Sequence, residues 1–188
     1  MIQSDIAKLS TIPWAAELIN DKRWTPTLSS NRFTKPTGED SFFAETLDTG
    51  RTIRTMLTLR PTEDQEGEWM YKELLVILDL GDGLNGYAQI LHGGFATTLL
   101  DETCGGLIQL NVFEKVRRFG SQHAMNYLTA YLNTVYKKPI PVPGPLLCTA
   151  KIERQDGRKL YVRATIEDGE GTIYATGDCM FIKAKPSL

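Results

Sequence analysis

Leu91-His92-Gly93-Gly94-Phe95-Ala96-Thr97-Thr98-Leu99-Leu100-Asp101-Glu102-Thr103-Cys104-Gly105-Gly106 is the stretch that decides how the rest of the chain is read. Phe95, Leu99, Leu100, Leu107 and Ile108 recur at helical spacing rather than in alternation, so the stretch reads as a helix opened by Gly93 and Gly94. The first-turn N–H groups of a helix have no internal partner and lie at the positive end of its dipole, which suits them to an oxyanion. Asp101 shares a helical face with Thr97 and Gly105, and small residues in that row admit a second backbone or a ligand. An acid set among Leu, Thr, Cys and Gly is costly unless it has donors or a partner, so Asp101 reads first as a site residue.

His92 and Asp101 are nine residues apart, roughly 13 Å along a helix at about 1.5 Å per residue. Both cannot reach one carbonyl within a single chain. A site that uses both ends therefore needs a two-fold axis, with the glycine end of one helix facing the acid of its copy.

The His-Gly-Gly pattern with an acid nine residues after the histidine resembles the hotdog-fold acyl-CoA thioesterases of the PaaI and THEM (thioesterase superfamily member) type. Downstream, Thr129-Ala130-Tyr131-Leu132-Asn133-Thr134-Val135-Tyr136-Lys137-Lys138-Pro139-Ile140-Pro141 resembles the strand after the central helix of the THEM branch, and Gly157-Arg158-Lys159-Leu160-Tyr161-Val162 the following turn and strand. The resemblance runs from about residue 70 to 185. It implies an α+β hotdog fold, a curved antiparallel sheet wrapped around one long helix, and hydrolysis of acyl-CoA. It also implies a general base or nucleophile at Asp101, a supporting hydroxyl at Thr129, and oxyanion donors at Gly93 and Gly94. His92 would shape the entry loop. The family asparagine six residues before the histidine falls on Gly86 here, with Asn85 and Gln89 beside it as candidates for its role. Lys137, Lys138, Arg158 and Lys159 stand where cations would meet CoA phosphates. The other functional reading is a non-catalytic hotdog dimer that binds a partner protein or an acyl ligand. A hotdog dehydratase fits less well, because its histidine and acid are placed differently.

The chain has 188 residues, 41% of them hydrophobic, enough for one domain with a real core. Its formal net charge of -2 gives no reason to expect nucleic acid. Cys104, Cys148 and Cys179 lie in apolar patterns and read as reduced core thiols. No stretch has the about 18 apolar residues of a membrane span, and the first residues lack the pattern of a leader, so a cytoplasmic protein is expected. Nucleotide, dinucleotide, zinc and serine-hydrolase motifs are absent, and neither a metal nor a cofactor is expected.

Residues 1–40 read as a helical appendage: a short helix capped by Thr11 and running to about Asn20, which either covers the sheet or forms a lid over an acyl channel, then an extended connector from Trp24 to Gly38. The hotdog domain would occupy residues 41–188. It opens on a predicted β-hairpin, Ser41 to Leu47 against Arg51 to Arg60, and continues with a strand from Trp69 to Leu80 and an entrance loop from Leu84 to Leu91. After the helix and its tail, Asn111 to Gln122, strands are expected over Tyr127 to Val135, Leu146 to Glu153, Lys159 to Ile166 and Thr172 to Ala184. A sheet of this kind leaves an edge and a helix face uncovered, which a homodimer or a dimer of dimers would bury.

Overall fold

The computed structural model describes residues 2–184, so Met1 and the last four residues of the expected domain lie outside the described part. The longest element is helix α3, Gly93–Phe119, of 27 residues. Two short helices precede it, α1 (Ile2–Leu9) and α2 (Pro13–Asn20). The strands are β1 (Trp24–Thr27), β2 (Ile53–Pro61), β3 (Glu73–Leu80), the small β4 (Asn85–Tyr87) and β5 (Ile90–Leu91), and then β6 (Tyr127–Tyr136), β7 (Gly144–Asp156), β8 (Lys159–Glu167) and β9 (Ile173–Lys183). Seven of them form one antiparallel sheet in the order β1-β2-β3-β7-β8-β9-β6, and β4 pairs with β5 in a separate hairpin. The architecture is α+β, a hotdog arrangement with the long helix against the sheet.

Alternation within the strands assigns the two faces of the sheet. Leu74, Val76, Leu78 and Leu80 of β3 pack in the core with Phe95, Leu99, Leu100, Cys104, Leu107 and Ile108 of α3. Leu75 and Ile77, on the opposite face, pack with Leu57, Leu59, Leu147 and the buried Leu9, Ala15 and Ile19 of α1 and α2. β3 is thus covered on both faces, which accounts for its unbroken apolar run. The N-terminal helices cover the face of the sheet opposite α3. Gly177 of β9 marks a close approach of the helix layer, since a β-carbon there would stand 2.9 Å from Leu132 and 3.3 Å from Leu100.

Four local expectations change. Ser41 to Leu47 is not a strand: Phe42–Thr46 form a π-helical turn closed by Leu47 N–H to Phe42 O at 2.9 Å. Phe43 and Leu47, four apart, share the core while Phe42 is exposed, a helical division that five residues were too few to reveal. β2 consequently pairs with β1 and β3 rather than with a preceding hairpin arm. The connector contributes β1, an edge strand of the sheet. β3 starts at Glu73 rather than Trp69, because the buried amide of Asn111 takes up both backbone groups of Tyr71, at 2.9 and 2.8 Å, in place of a neighbouring strand. Finally, Ile2–Leu9 is helical, an element the sequence reading did not foresee.

Candidate active site

α3 opens on a side-chain cap. His92 is extended at the N-cap position, and its Nδ1 accepts the Gly94 N–H at 3.0 Å. Nδ1 is therefore unprotonated, and a neutral ring carries its proton on Nε2. The His92 carbonyl accepts from both Phe95 and Ala96. With Gly94 engaged by the imidazole, the Gly93 N–H is the first-turn donor that has no partner among the described residues. It lies on a half-exposed glycine where a β-carbon would meet nothing closer than 3.5 Å. The same helix end carries the positive pole of the dipole.

Two turns along α3, Asp101 accepts a hydrogen bond from Thr129 Oγ1 at 3.0 Å. Asp101 is half-buried, and its row-mates Thr97 and Gly105 are half-buried as well, with open space over Gly105. This row is a shallow accessible strip, not the interior surroundings that the neighbouring sequence suggests. Gly93 and Asp101 are separated by about 12 Å of helix rise.

β6 brings its residues onto α3 through an irregularity. Thr129 pairs with Phe181 and Tyr131 with Met180, so one residue is accommodated as a bulge between them. Before the bulge, Tyr127 and Thr129 face the helix; after it, Leu132, Thr134 and Tyr136 do. Without that extra residue, strict alternation would turn either Thr129 or the Thr134–Tyr136 pair away from α3.

The acid next in sequence has a different environment. Glu102 accepts from Asn31 Nδ2 at 2.5 Å, under the short turn Ser30–Arg32 of the N-terminal segment. Burial pushes its carboxyl up, opposed by the Asn31 hydrogen bond and by Lys35, and assisted by the charges of Asp40 and Asp101. Asn31 Oδ1 is buried without a partner. Neither residue was singled out in the sequence, where 71 positions separate them and no motif joins them. The three cysteines are free and buried. Cys104 is held protonated by its hydrogen bond with Cys179 and by burial, and burial pushes Cys148 up to about 12, so neither offers a thiolate.

The remaining candidates divide. Asn85 and Gln89 are exposed on the β4–β5 hairpin, and their side chains make no hydrogen bond to the site among the described residues. Gly86 passes so close to His92 that a β-carbon would lie 2.9 Å from His92 Cα, which leaves no room for an asparagine on this backbone. Lys137 and Lys138 follow β6 at the end where Tyr136 pairs with Ala175. Arg158 and Lys159 are at the other end, where Tyr127 pairs with Lys183 and Arg158 donates to the Lys183 carbonyl at 2.9 and 2.6 Å. The two pairs are about 26 Å apart by strand rise, so they do not form one cluster within a chain. Among the described residues, no group of three His, Cys, Asp or Glu side chains is placed to hold a metal, and no helix is long and apolar enough to cross a membrane.

The long helix packed against a seven-stranded antiparallel sheet defines a hotdog fold, with the Gly93 end of the helix and the Asp101–Thr129 pair on its accessible side. Residues 88–175 match the family model described as thioesterase superfamily. The chain is 32% identical over 116 residues to the mouse (Mus musculus) protein named acyl-coenzyme A thioesterase THEM4, a match covering 61% of this chain and 45% of that protein. The rat (Rattus norvegicus) protein of the same name is 31% identical over 116 residues, again 61% of this chain and 45% of the other. The match thus spans less than half the length of these relatives. Among solved structures, zebra fish thioesterase superfamily member 2 shares the fold with a TM-score of 0.53 at 14% identity, over 79% of this chain and 88% of the other. A conserved protein of Pseudomonas aeruginosa shares it with a TM-score of 0.53 at 16% identity, over 84% and 100%.

Proposed function

We propose that this protein hydrolyses acyl-CoA thioesters as a homodimer, with each active site shared between two chains. The observation that carries the reading is the free Gly93 N–H at the α3 terminus, about 12 Å from the Asp101–Thr129 pair of its own chain. The thioester carbonyl rests on the Gly93 N–H, whose fixed dipole is matched to the charge that develops on oxygen. The Gly94 N–H serves this indirectly, by fixing His92. Across the two-fold axis, the partner subunit's Asp101 faces the carbonyl carbon. As a general base it takes a proton from water while the water oxygen bonds to that carbon. The tetrahedral intermediate then collapses, the C–S bond breaks, and the proton passes to the departing CoA thiolate. As a nucleophile, Asp101 would instead attack the carbonyl carbon and expel the CoA thiolate as the C–S bond breaks, leaving a mixed anhydride that water later opens to the free acid and the regenerated carboxylate. Thr129 donates to Oδ1 and leaves Oδ2 for either task.

The edge of the sheet supports the dimer. β6 is the terminal strand, and Leu128, Tyr131, Val135 and Tyr136 on it are exposed. Antiparallel pairing of β6 with its copy about an axis near Leu132 and Asn133, midway between Thr129 and Tyr136, sets each Asp101 toward the opposite Gly93. The same pairing carries Lys137 and Lys138 toward the end where the partner's Arg158 and Lys159 stand, which supports a CoA phosphate site collected from both chains. Asn85 and Gln89 rim the entrance on their hairpin, residues 1–40 act as an appendage whose helices α1 and α2 cover the outer face of the sheet, and the protein works in the cytoplasm.

The test is a hydrolysis panel of acyl-CoAs of graded chain length with wild type and Asp101→Asn. Wild type should release CoA from at least one chain length, and the variant should lose on the order of 10²-fold or more in kcat with folding intact. Near wild-type turnover by Asp101→Asn would remove the assignment.

A further inference from the structure

The strand that supplies Thr129 also supplies Tyr136, which the reaction as derived above does not use. Its hydroxyl donates to the Gly93 carbonyl at 2.9 Å and lies 2.8 Å from Thr97 Oγ1, which is 3.2 Å from Thr134 Oγ1. Since the single Tyr136 proton is directed at Gly93, the other directions follow: Thr97 donates to Tyr136, and Thr134 donates to Thr97. Three hydroxyls thus run from the edge strand to the first turn of α3. A β-carbon on Gly93 would meet the Tyr136 hydroxyl at 3.5 Å and its ring at 3.6 Å, so the ring walls the turn on that side. Tyr136 is 55% exposed, so burial of its ring does not account for so well-partnered a hydroxyl.

Two successive glycines give the turn more backbone freedom than any other pair of residues would. That freedom is removed from both sides. The peptide unit joining Gly93 and Gly94 has its carbonyl held by Tyr136 and its N–H held by His92. The direction of the preceding N–H, that of Gly93, is set by the torsions that this clamp fixes.

We propose that Tyr136 is a positioning residue for the oxyanion donor: through its hydrogen bond to Gly93 O it aims the Gly93 N–H at the developing oxyanion, and Thr97 and Thr134 orient its hydroxyl. The inference rests on the thioesterase reading above. A donor has to meet the oxyanion within a few tenths of an ångström, so loss of the clamp weakens transition-state stabilisation more than ground-state binding.

Tyr136→Phe keeps the ring and removes the clamp. Its kcat should fall about tenfold, part of the 10²–10³-fold worth of a whole oxyanion donor, with KM within about twofold. Thr97→Val should fall less, and the double variant should be no slower than Tyr136→Phe, because both act through one chain of hydrogen bonds. A second readout needs no substrate: in ¹⁵N-labelled protein, hydrogen exchange at the Gly94 amide should quicken about tenfold in Tyr136→Phe while the β3 amides keep wild-type protection. An unchanged kcat, or unchanged Gly94 exchange, overturns the proposal. If wild type hydrolyses no acyl-CoA, it is the thioesterase reading that fails, and the exchange measurement alone decides whether Tyr136 holds the turn.

Discussion

β3 and β6 are both rich in apolar residues, yet the molecule treats them oppositely. β3 is sandwiched, with α3 on one face and α1 and α2 on the other, and nearly every side chain from Leu74 to Leu80 is buried. β6 is a terminal strand, exposed along most of its length, with Leu128 at 64% and Val135 at 53% exposure. The interior strand carries no site residue. The edge strand carries Thr129, Thr134 and Tyr136, all of which reach α3. Buried packing is therefore concentrated in one half of the sheet and the proposed site in the other, at the open edge where the proposed second chain would pair and bridge the about 12 Å between Gly93 and Asp101.

The comparison breaks first at the core. Leu78→Ala in β3 should cost about 2–5 kcal/mol, because Leu78 is 1% exposed and the cavity left between sheet and helix has no ready way to collapse. Urea unfolding at one fixed protein concentration would measure it, and a cost below about 1 kcal/mol would mean that the two-sided packing of β3 is not the main support of the fold.

Glu102 gives an intermediate effect. Its carboxyl is raised in the folded state, so its contribution is fully present below the ordinary carboxyl range and is lost as pH rises through the raised value. The charged groups acting on it are Asp40, Asp101 and Lys35, with Asn31 in direct contact. Glu102→Gln keeps an acceptor for Asn31 Nδ2, adds a donor for the orphaned Asn31 Oδ1, and does not titrate. The variant should be more stable than wild type by about 1 kcal/mol at pH 8 and nearly equal to it at pH 4. Thermal melts at the two pH values test the sign, and a pH-independent difference would contradict the role given to burial.

The smallest effect on folding belongs to the edge. Leu128→Ser should change the unfolding free energy of the chain by less than about 0.5 kcal/mol, as surface replacements do, while weakening self-association measured by sedimentation. A large loss of fold stability with unchanged association would place the interface elsewhere.

Much of this division was legible in the sequence. The helical spacing of Phe95 to Ile108 located α3, and the two motifs, one on the helix and one on the strand, meet at the hydrogen bond between Thr129 and Asp101. Other features had no local signal. The bulge beside Ala130 depends on pairing with β9, and no residue type announces it. The turn at Phe42–Thr46 is too short for a period to separate helix from strand. Asn31 and Glu102 meet only through the fold, and the separation of Lys137 and Lys138 from Arg158 and Lys159 follows from sheet register rather than from chain order. Tyr136 stood inside the quoted strand motif, but its partner Gly93 lies 43 residues earlier.

Subunit complementation tests the shared site most directly. Asp101→Asn removes the acid, and Gly93→Val crowds the oxyanion turn at a position with room for a β-carbon, so both variants should fold and both homodimers should be inactive. In a mixed dimer one composite site collects both lesions and the other neither. Exchange of subunits between the two purified variants should make roughly half of the dimers mixed and restore up to about a quarter of wild-type activity. Demonstrated exchange without recovery would place the working site within a single chain and contradict the account.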